Sequence, residues 1–336
     1  SAVTRPIGQV DYVAANEYLN AFARHHAARR DSKTRVLAID WGVWADVGMA
    51  ADAMDARSGS ETPQEQPSSQ PLFDSRQFAS DGAVLFRRRL TDDQWLLAEH
   101  KTRDGTALVP GTGYIEYAAE ALAELGHEAP FEIRELYFLC PLIVTAARPV
   151  DIVVRLTAVE QGYEFAVFSE VAEGYALHVQ AVLVTDAAPE HPAPLPIAEI
   201  SARCTALADA AGDRLMAPQE ANLDFGPRWH ALQEMRRGNG EGLARLRLPD
   251  AASADATLLP PGLMDLATGW AIDLAPTYRD TSLWVPVSYD SLCIHAALPA
   301  PKGSEIVSHM RLRDSAAGAA RFDITLCAPD GAVPLE

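Results

Sequence analysis

Hydrophobic and polar positions divide this chain into three stretches. Residues 11–30, DYVAANEYLNAFARHHAARR, put Val13, Tyr18, Leu19 and Phe22 on one side of a helix, and the apolar run VLAIDWGVW that follows reads as a strand. From about residue 54 to 72, MDARSGSETPQEQPSSQPL, Ser, Gln, Glu and Pro dominate, so this stretch is predicted to be solvated linker. Beyond it β-type segments prevail: PVDIVVRLTAV, YEFAVFSE, ALHVQAVLVT, ARLRLP, SEIVSHMRLR and ARFDITLCA, each bounded by turn-forming residues. Only two segments there read as long apolar helices, 113–126 and 262–275. Each opens on glycine shortly after a Pro-Gly pair or within one, Pro110-Gly111 and Pro261-Gly262. Each continues with two bulky apolar residues, an acid, an apolar residue and alanine. The match suggests an internal duplication in which two units each wrap a sheet round one buried helix.

Composition narrows the class. The 336 residues are 48% hydrophobic and 22% charged, which suits a globular core and excludes disorder throughout. With 28 Lys and Arg against 46 Asp and Glu, the net charge of −18 argues against nucleic acid or an anionic membrane as partner. No apolar run is long enough to span a bilayer and the N-terminus lacks the pattern of a signal peptide, so a cytoplasmic location is expected. Cys140, Cys204, Cys293 and Cys327 are far apart, with no metal-binding spacing, and read as reduced core residues. The first 50 residues cannot cover the faces of their own helix and strand, and read as the end of a domain that begins upstream.

Chemistry is densest in WLLAEHKTRDGTALVPGTGY, residues 95–114. Gly105 sits in an expected turn, and Pro110 and Gly111 open a helix whose first amides could polarise a bound carbonyl. His100, just before that turn, is suited to take a weakly acidic proton, or is a satisfied structural histidine at a strand end. Asp265 lies in the expected first turn of the second apolar helix. Burial there would let it hold a proton for donation, although an acid meeting the helix dipole explains it more simply, as it does its counterpart Glu116. In Asn222–His230 a Gly-Pro turn between aromatics could wall a channel or simply pack on itself. Tyr12 and Asn16 share a helical face, but no Gly-rich nucleotide loop precedes them.

Together these segments resemble the dehydratase domain of polyketide synthases. WLLAEHKTRDGTALVPGTGYIEYAAEAL is similar to the family's HxxxGxxxxP signature. NLDFGPRWHAL resembles its YGPxFQ segment, with Phe225, Trp229 and His230 for Tyr, Phe and Gln, and LLPPGLMDLATG the segment carrying its aspartate. YALHVQAVL around His178 and WVPVSYDSLCIH match further stretches. The implied fold is an α+β double hotdog, two helix-wrapped antiparallel sheets fused in one chain. GQVDYVAANEYLNAFA and VLAIDWGVWADVGMA resemble the tail of a Rossmann-type ketoreductase, with its active-site tyrosine and asparagine at Tyr12 and Asn16. The expected organisation is a ketoreductase remnant at 1–50, a flexible linker at 51–70 and the dehydratase at 71–336, with hotdogs at about 71–190 and 200–336. Ketoreductase before dehydratase is a layout similar to that of some iterative synthases.

The resemblance implies dehydration of a 3-hydroxyacyl thioester on an acyl carrier protein. His100 would act as base and Asp265 as acid, and Gly105, Pro110, Gly111, Phe225, Pro227, Trp229 and His230 would bind substrate. No metal or redox cofactor is implied, and the substrate is carried on the carrier's phosphopantetheine. Other synthase domains and a possible homodimer are the remaining implied partners. Two departures stand out. Four residues, not the family's three, separate His100 from Gly105, so the turn must bulge. Four residues after Asp265, where the family has Gln or His to orient the carboxylate, stands Gly269. An isomerase or oxa-Michael cyclase on the same site, or a weakened carrier-binding domain, are the alternative readings. Docking an acidic carrier would need a basic patch, for which Arg87-Arg88-Arg89 and Arg236-Arg237 are candidates.

Overall fold

The computed structural model describes residues 65–336 apart from 172–173, 188, 209–213, 253–255, 299–302 and 317; the ketoreductase-like stretch lies outside the described residues. Twelve elements build the first half. Strands β1 (Gln66–Pro67), β2 (Ser75–Phe78) and β3 (Val84–Leu90) lead to a single helical turn, α1 (Trp95–Ala98). The short strands β4 (His100–Thr102) and β5 (Ala107–Leu108) then precede α2 (Gly111–Glu124). After α2 come β6 (Phe131–Phe138), β7 (Ile143–Val144), β8 (Val150–Val159), β9 (Gly162–Val171) and β10 (Gly174–Val184). The second half holds α3 (Ile197–Arg203), β11 (Ala206–Leu207), β12 (Leu223–Phe225), β13 (Leu232–Arg237) and β14 (Glu241–Arg247). It closes with α4 (Pro261–Gly269), β15 (Ser288–Ile294), β16 (Glu305–Ala316) and β17 (Ala319–Cys327).

These strands form an eight-stranded sheet in the order β1-β2-β3-β8-β9-β10-β6-β15 and a five-stranded sheet β11-β13-β14-β16-β17, each wrapped round one helix. Neighbours in both sheets are antiparallel. β15 belongs to the second half of the chain, yet it pairs with β6 of the first, Ile294 opposite Phe131 and Ser288 opposite Tyr137. Leu335 bridges Ile294 of β15 and Leu326 of β17, so the backbone network runs from one sheet to the other. The arrangement is the α+β double hotdog, and a third, four-stranded sheet β12-β4-β5-β7 lies across the chain's midpoint.

α2 is apolar apart from one row of glutamates and is buried from Thr112 to Leu122, among Phe86, Val154, Phe165, Val167 and Leu183 of the large sheet. α4 buries Leu263, Met264, Leu266 and Ala267, and Trp270 just beyond it donates to Ser308 Oγ of β16 at 2.9 Å. The two helices meet, with Thr112 Oγ1 donating to the Pro261 carbonyl at 2.9 Å.

Glu116 and Glu120, four residues apart on α2, are buried together with that core. Glu116 accepts the amides of Leu258 and Leu259 at 2.7 Å each, and Glu120 that of Leu72 at 2.9 Å. Burial pushes both carboxyls up, and Glu120 goes further, to about 9, because Glu116 lies beside it. Glu116 is therefore a buried anchor, and the expected dipole-facing acid in a first turn is not what the helix contains.

Two further expectations change. The linker's end is structured: Gln66 and Pro67 pair with β2, and Leu72 and Phe73 are core residues. The apolar pair Leu72-Phe73 is what ends the solvated stretch. Of the four cysteines, Cys204 and Cys327 are buried, but Cys140 is exposed and Cys293 half-buried; all four are free thiols.

Candidate functional site

His100 opens β4, and its neighbours are set by backbone geometry before any side chain acts. β4 pairs with β12, placing Phe225 directly opposite His100. The turn from β4 to β5 closes through Gly105, whose φ of +86° is one that side-chain-bearing residues avoid. Gly105 is, however, at the exposed tip, and its N–H donates to the Thr102 carbonyl at 2.8 Å. That amide is therefore already engaged inside the turn. The first amides of α2, at Gly111 and Thr112, remain the unpaired donors next to Pro110.

The His100 ring shares a 2.9 Å hydrogen bond with the Leu108 carbonyl through Nδ1. A carbonyl only accepts, so Nδ1 carries the proton, and a neutral ring then leaves the Nε2 lone pair free. Nε2 stands 3.6 Å from Asp265 Oδ2. Two aromatic rings pack on the imidazole: Phe225 lies 5.7 Å from it and nearly parallel, and Trp229 lies 5.7 Å away and tilted.

Asp265 comes from the second turn of α4, not the first as expected, because the helix begins at Pro261. Its Oδ2 accepts the Trp229 indole N–H at 2.8 Å. Burial pushes the carboxyl up, and this outweighs the opposite pull of His100 and of the Trp229 N–H. Close approach explains the glycine of Pro261-Gly262: a Cβ there would lie 2.8 Å from the Arg228 carbonyl and 2.9 Å from the Trp229 ring. Tyr289 of β15 reaches Thr268 of α4 at 3.4 Å, and burial pushes its hydroxyl up to about 12.

His100, Asp265, Phe225 and Trp229 thus converge, with Leu108 linking them to Pro110 and Gly111. Pro227 and His230 do not share that enclosure. Both are exposed, and His230 Nε2 is directed to the Phe225 carbonyl at 3.3 Å. His178 pairs with Ser169 Oγ at 2.8 Å and the Cys140 carbonyl at 3.0 Å, and burial pulls it down.

The residue that fixes the aromatic turn was not singled out in the sequence. Glu99 accepts the Arg228 amide at 2.8 Å through Oε2 and pairs with the Arg228 guanidinium through Oε1. Its own carbonyl takes the Gly226 amide at 2.9 Å, and a Cβ on Gly226 would sit 2.5 Å from Glu99 Cβ. An acid adjacent to His100 was the available signal. Gln219, whose side chain lies against Gly269, gave none.

The arginine runs are not a bare basic patch. Arg88 pairs with Asp74 at 2.8 Å, Arg89 with Asp151 at 2.8 Å and Arg87 with Glu170 at 3.6 Å. Arg236 pairs with Glu234, and Arg237 with Asp273 at 2.9 Å while lying over the Trp270 ring. Two surface cavities, of about 240 and 100 Å³, are lined by neither His100 nor Asp265. The larger is lined by those same arginines and acids, the smaller by Leu72, Trp95 and Tyr117. Among the described residues no group of three His, Cys, Asp or Glu side chains is placed to hold a metal, and no helix is long and apolar enough to cross a membrane.

Residues 71–170 match the family model described as polyketide synthase dehydratase domain, and residues 192–336 the one described as polyketide synthase dehydratase N-terminal domain. The chain contains a polyketide synthase dehydratase domain. Ahead of the dehydratase domain, residues 1–46 match the KR domain model, so a KR-domain fragment precedes it. Over 231 residues the chain is 27% identical to mycoketide-CoA synthase of Mycobacterium tuberculosis, covering 65% of this chain and 5% of that protein. Over 46 residues it is 48% identical to a phenolphthiocerol/phthiocerol polyketide synthase of the same species, covering 14% and 2%. The chain therefore spans a twentieth or less of these relatives. Among solved structures, the dehydratase domain of RzxB from Pseudomonas fluorescens is 23% identical with a TM-score of 0.68, covering 79% of this chain and 96% of that one. The dehydratase domain from the CurF module of curacin polyketide synthase is 19% identical with a TM-score of 0.69, covering 80% and 95%. These likenesses bear on the fold.

Proposed function

We propose that residues 71–336 eliminate water from a 3-hydroxyacyl thioester held on an acyl carrier protein, giving a 2-enoyl thioester. The observation that carries this is the approach of the two groups, His100 Nε2 standing 3.6 Å from Asp265 Oδ2, with Nδ1 committed to the Leu108 carbonyl. His100 takes the α-proton, whose bonding pair moves into the carbonyl as an enolate. The enolate electrons return to form Cα=Cβ, the Cβ–O bond breaks, and the Asp265 carboxyl gives its proton to the departing hydroxyl as water. The ring proton gained and the carboxyl proton lost balance, and exchange with solvent restores the pair.

Each half of the chemistry has its support in the site. Nε2 is the ring nitrogen with a free lone pair, and burial keeps Asp265 protonated further up the pH scale than an exposed aspartate. The Gly111 and Thr112 amides, at the α2 N-terminus, are suited to receive enolate charge. Phe225 and Trp229 enclose the ring, which excludes competing water. Two solved relatives, a His-to-Phe and an Asp-to-Asn variant of the CurK dehydratase, are described as inactive mutants, and a histidine–aspartate pair is what this reading requires here. By the same reading the domain works within a larger synthase, downstream of a ketoreductase that makes the hydroxyl, with the division at 1–50, 51–70 and 71–336.

Turnover of a panel of 3-hydroxyacyl-pantetheine thioesters, read by mass and by double-bond position, tests the proposal. Loss of water with the double bond at C2 is expected. A shifted double bond or a cyclic ether would replace dehydration with isomerisation or cyclisation, and no turnover of any member would remove the enzymatic reading.

A further inference from the structure

We propose that Trp229 is the positioning residue for Asp265: its indole N–H holds one carboxyl oxygen, Oδ2, as an acceptor and so leaves Oδ1 to carry the transferable proton. This rests on the dehydration reading above. The bond is 2.8 Å long, and an indole N–H can only donate. A carboxylic acid accepts far better on its carbonyl oxygen than on its hydroxyl. A donor fixed on Oδ2 therefore biases the proton to Oδ1.

The indole is in no position to turn away. Trp229 is only 1% exposed. Phe225 stacks on it at 5.9 Å, Trp95 lies 6.5 Å away, and the Gly262 backbone lies against its face. Arg228, the preceding residue, is clamped by Glu99 and lies 5.0 Å over the Trp95 ring. The donor is thus set by the same turn that shapes the wall beside His100.

α4 itself supplies no substitute. One turn beyond Asp265, Gly269 has no side chain, and the Gln219 amide fills the space a Cβ would need, with Cδ at 2.6 Å. Gln219 reaches 3.5 Å toward the Asp265 backbone carbonyl, not the carboxyl, and its Oε1 is buried without a partner. Thr268 donates back to the Met264 carbonyl at 2.9 Å. Among the described residues, the titratable groups facing the carboxyl are His100 from β4 and Tyr289 from β15.

The test replaces Trp229 by 3-benzothienylalanine, which keeps the bicyclic shape and removes the N–H, with Trp229→Phe alongside it. Two readouts are taken: kcat and KM on a 3-hydroxyacyl-pantetheine thioester, and the titration of the Asp265 carboxyl followed by 13C NMR. The expected result is a fall in kcat of about 10–100-fold with KM within about 3-fold. The Asp265 titration is expected to move upward, since a donor that favours the carboxylate has gone. An unchanged kcat and an unchanged titration in the folded benzothienyl protein would overturn the proposal. Failure of the wild type to dehydrate any substrate would sink the activity instead, and the carboxyl titration would still decide whether Trp229 holds Asp265.

Discussion

Glu116 of α2 and Leu259, the residue before the two prolines that open α4, are joined at 2.7 Å by a carboxyl–amide hydrogen bond spanning 143 positions of sequence. The bond ties the helix of one hotdog to the entry of the other, and Leu258 repeats it at 2.7 Å. Glu116→Ala strands a buried amide and a half-buried one and is expected to cost about 2–5 kcal/mol, measured by urea denaturation. Because α4 carries Asp265, turnover should fall in the same variant even where it is folded. A stability within about 0.5 kcal/mol of wild type would show that the amides find water or another acceptor.

Glu120 gives a pH signature. Its carboxyl is raised from an ordinary 4.5 to about 9, so between those values the native state holds a proton that the unfolded chain has released. Stability contributed this way is complete below the lower value and declines as pH climbs through the window. Glu120→Gln removes that titration. The difference in denaturation midpoint between variant and wild type should shift in the variant's favour from about pH 5 to pH 9. A difference that stays constant with pH would show that Glu120 ionises as freely in the folded state as in the unfolded one.

The Leu108 carbonyl dictates the His100 tautomer. 15N spectra of the neutral ring should show Nδ1 protonated and Nε2 bare, and His100→Ala should lower turnover by roughly 10²–10⁴-fold. Detection of the Nε2–H form in the resting protein would take away the free lone pair on which the base assignment stands.

Asp265 must be protonated to act as acid, so kcat should decline as pH rises past its carboxyl pKa, and burial places that decline above the usual aspartate range. Asp265→Asn, which keeps the shape and has no acid proton, should cost roughly 10²–10⁴-fold. A kcat with no alkaline decline would point to a different acid.

Glu99 is the residue through which the aromatic turn is held to β4. Glu99→Ala is expected to lower stability by about 1–3 kcal/mol, since it breaks a hydrogen-bonded ion pair that is mostly shielded from water. It should also reduce kcat, because Phe225 and Trp229 lose their register on His100. Arg88→Ala, by contrast, removes one surface ion pair and should change the KM for a carrier-borne substrate less than about 2-fold. A larger effect would restore that arginine as a docking residue.

The sequence carried the site's first layer and not its second. His100 and Asp265 were visible because each sits in a run of distinctive neighbours, and the matched helices at 113–126 and 262–275 disclosed the two-unit plan. The supporting contacts were invisible for a physical reason. Glu99 acts on a turn 129 positions away, and Gln219 fills a gap beside Gly269 that only the fold creates. At Gly105 sequence and structure answer different questions. Its place in the signature implied a ligand contact, and its backbone angle gives a separate reason why glycine stands there. β3 was hidden by three successive arginines, each of which finds an acid neighbour at the sheet surface.

The pairing of β15 with β6 makes the order of synthesis matter. When β6 emerges, the strand that covers its outer edge has yet to be made, more than 150 residues downstream. Until then a ribbon carrying Phe131, Ile133 and Leu136 presents unpaired amides and carbonyls, the kind of edge on which chains aggregate. Long-range closure of this sort is also slow to form. The two hotdogs, despite their likeness, are consequently not interchangeable modules. A chain cut after β10 should be insoluble, and swapping one half between synthases demands that β6 and β15 travel together.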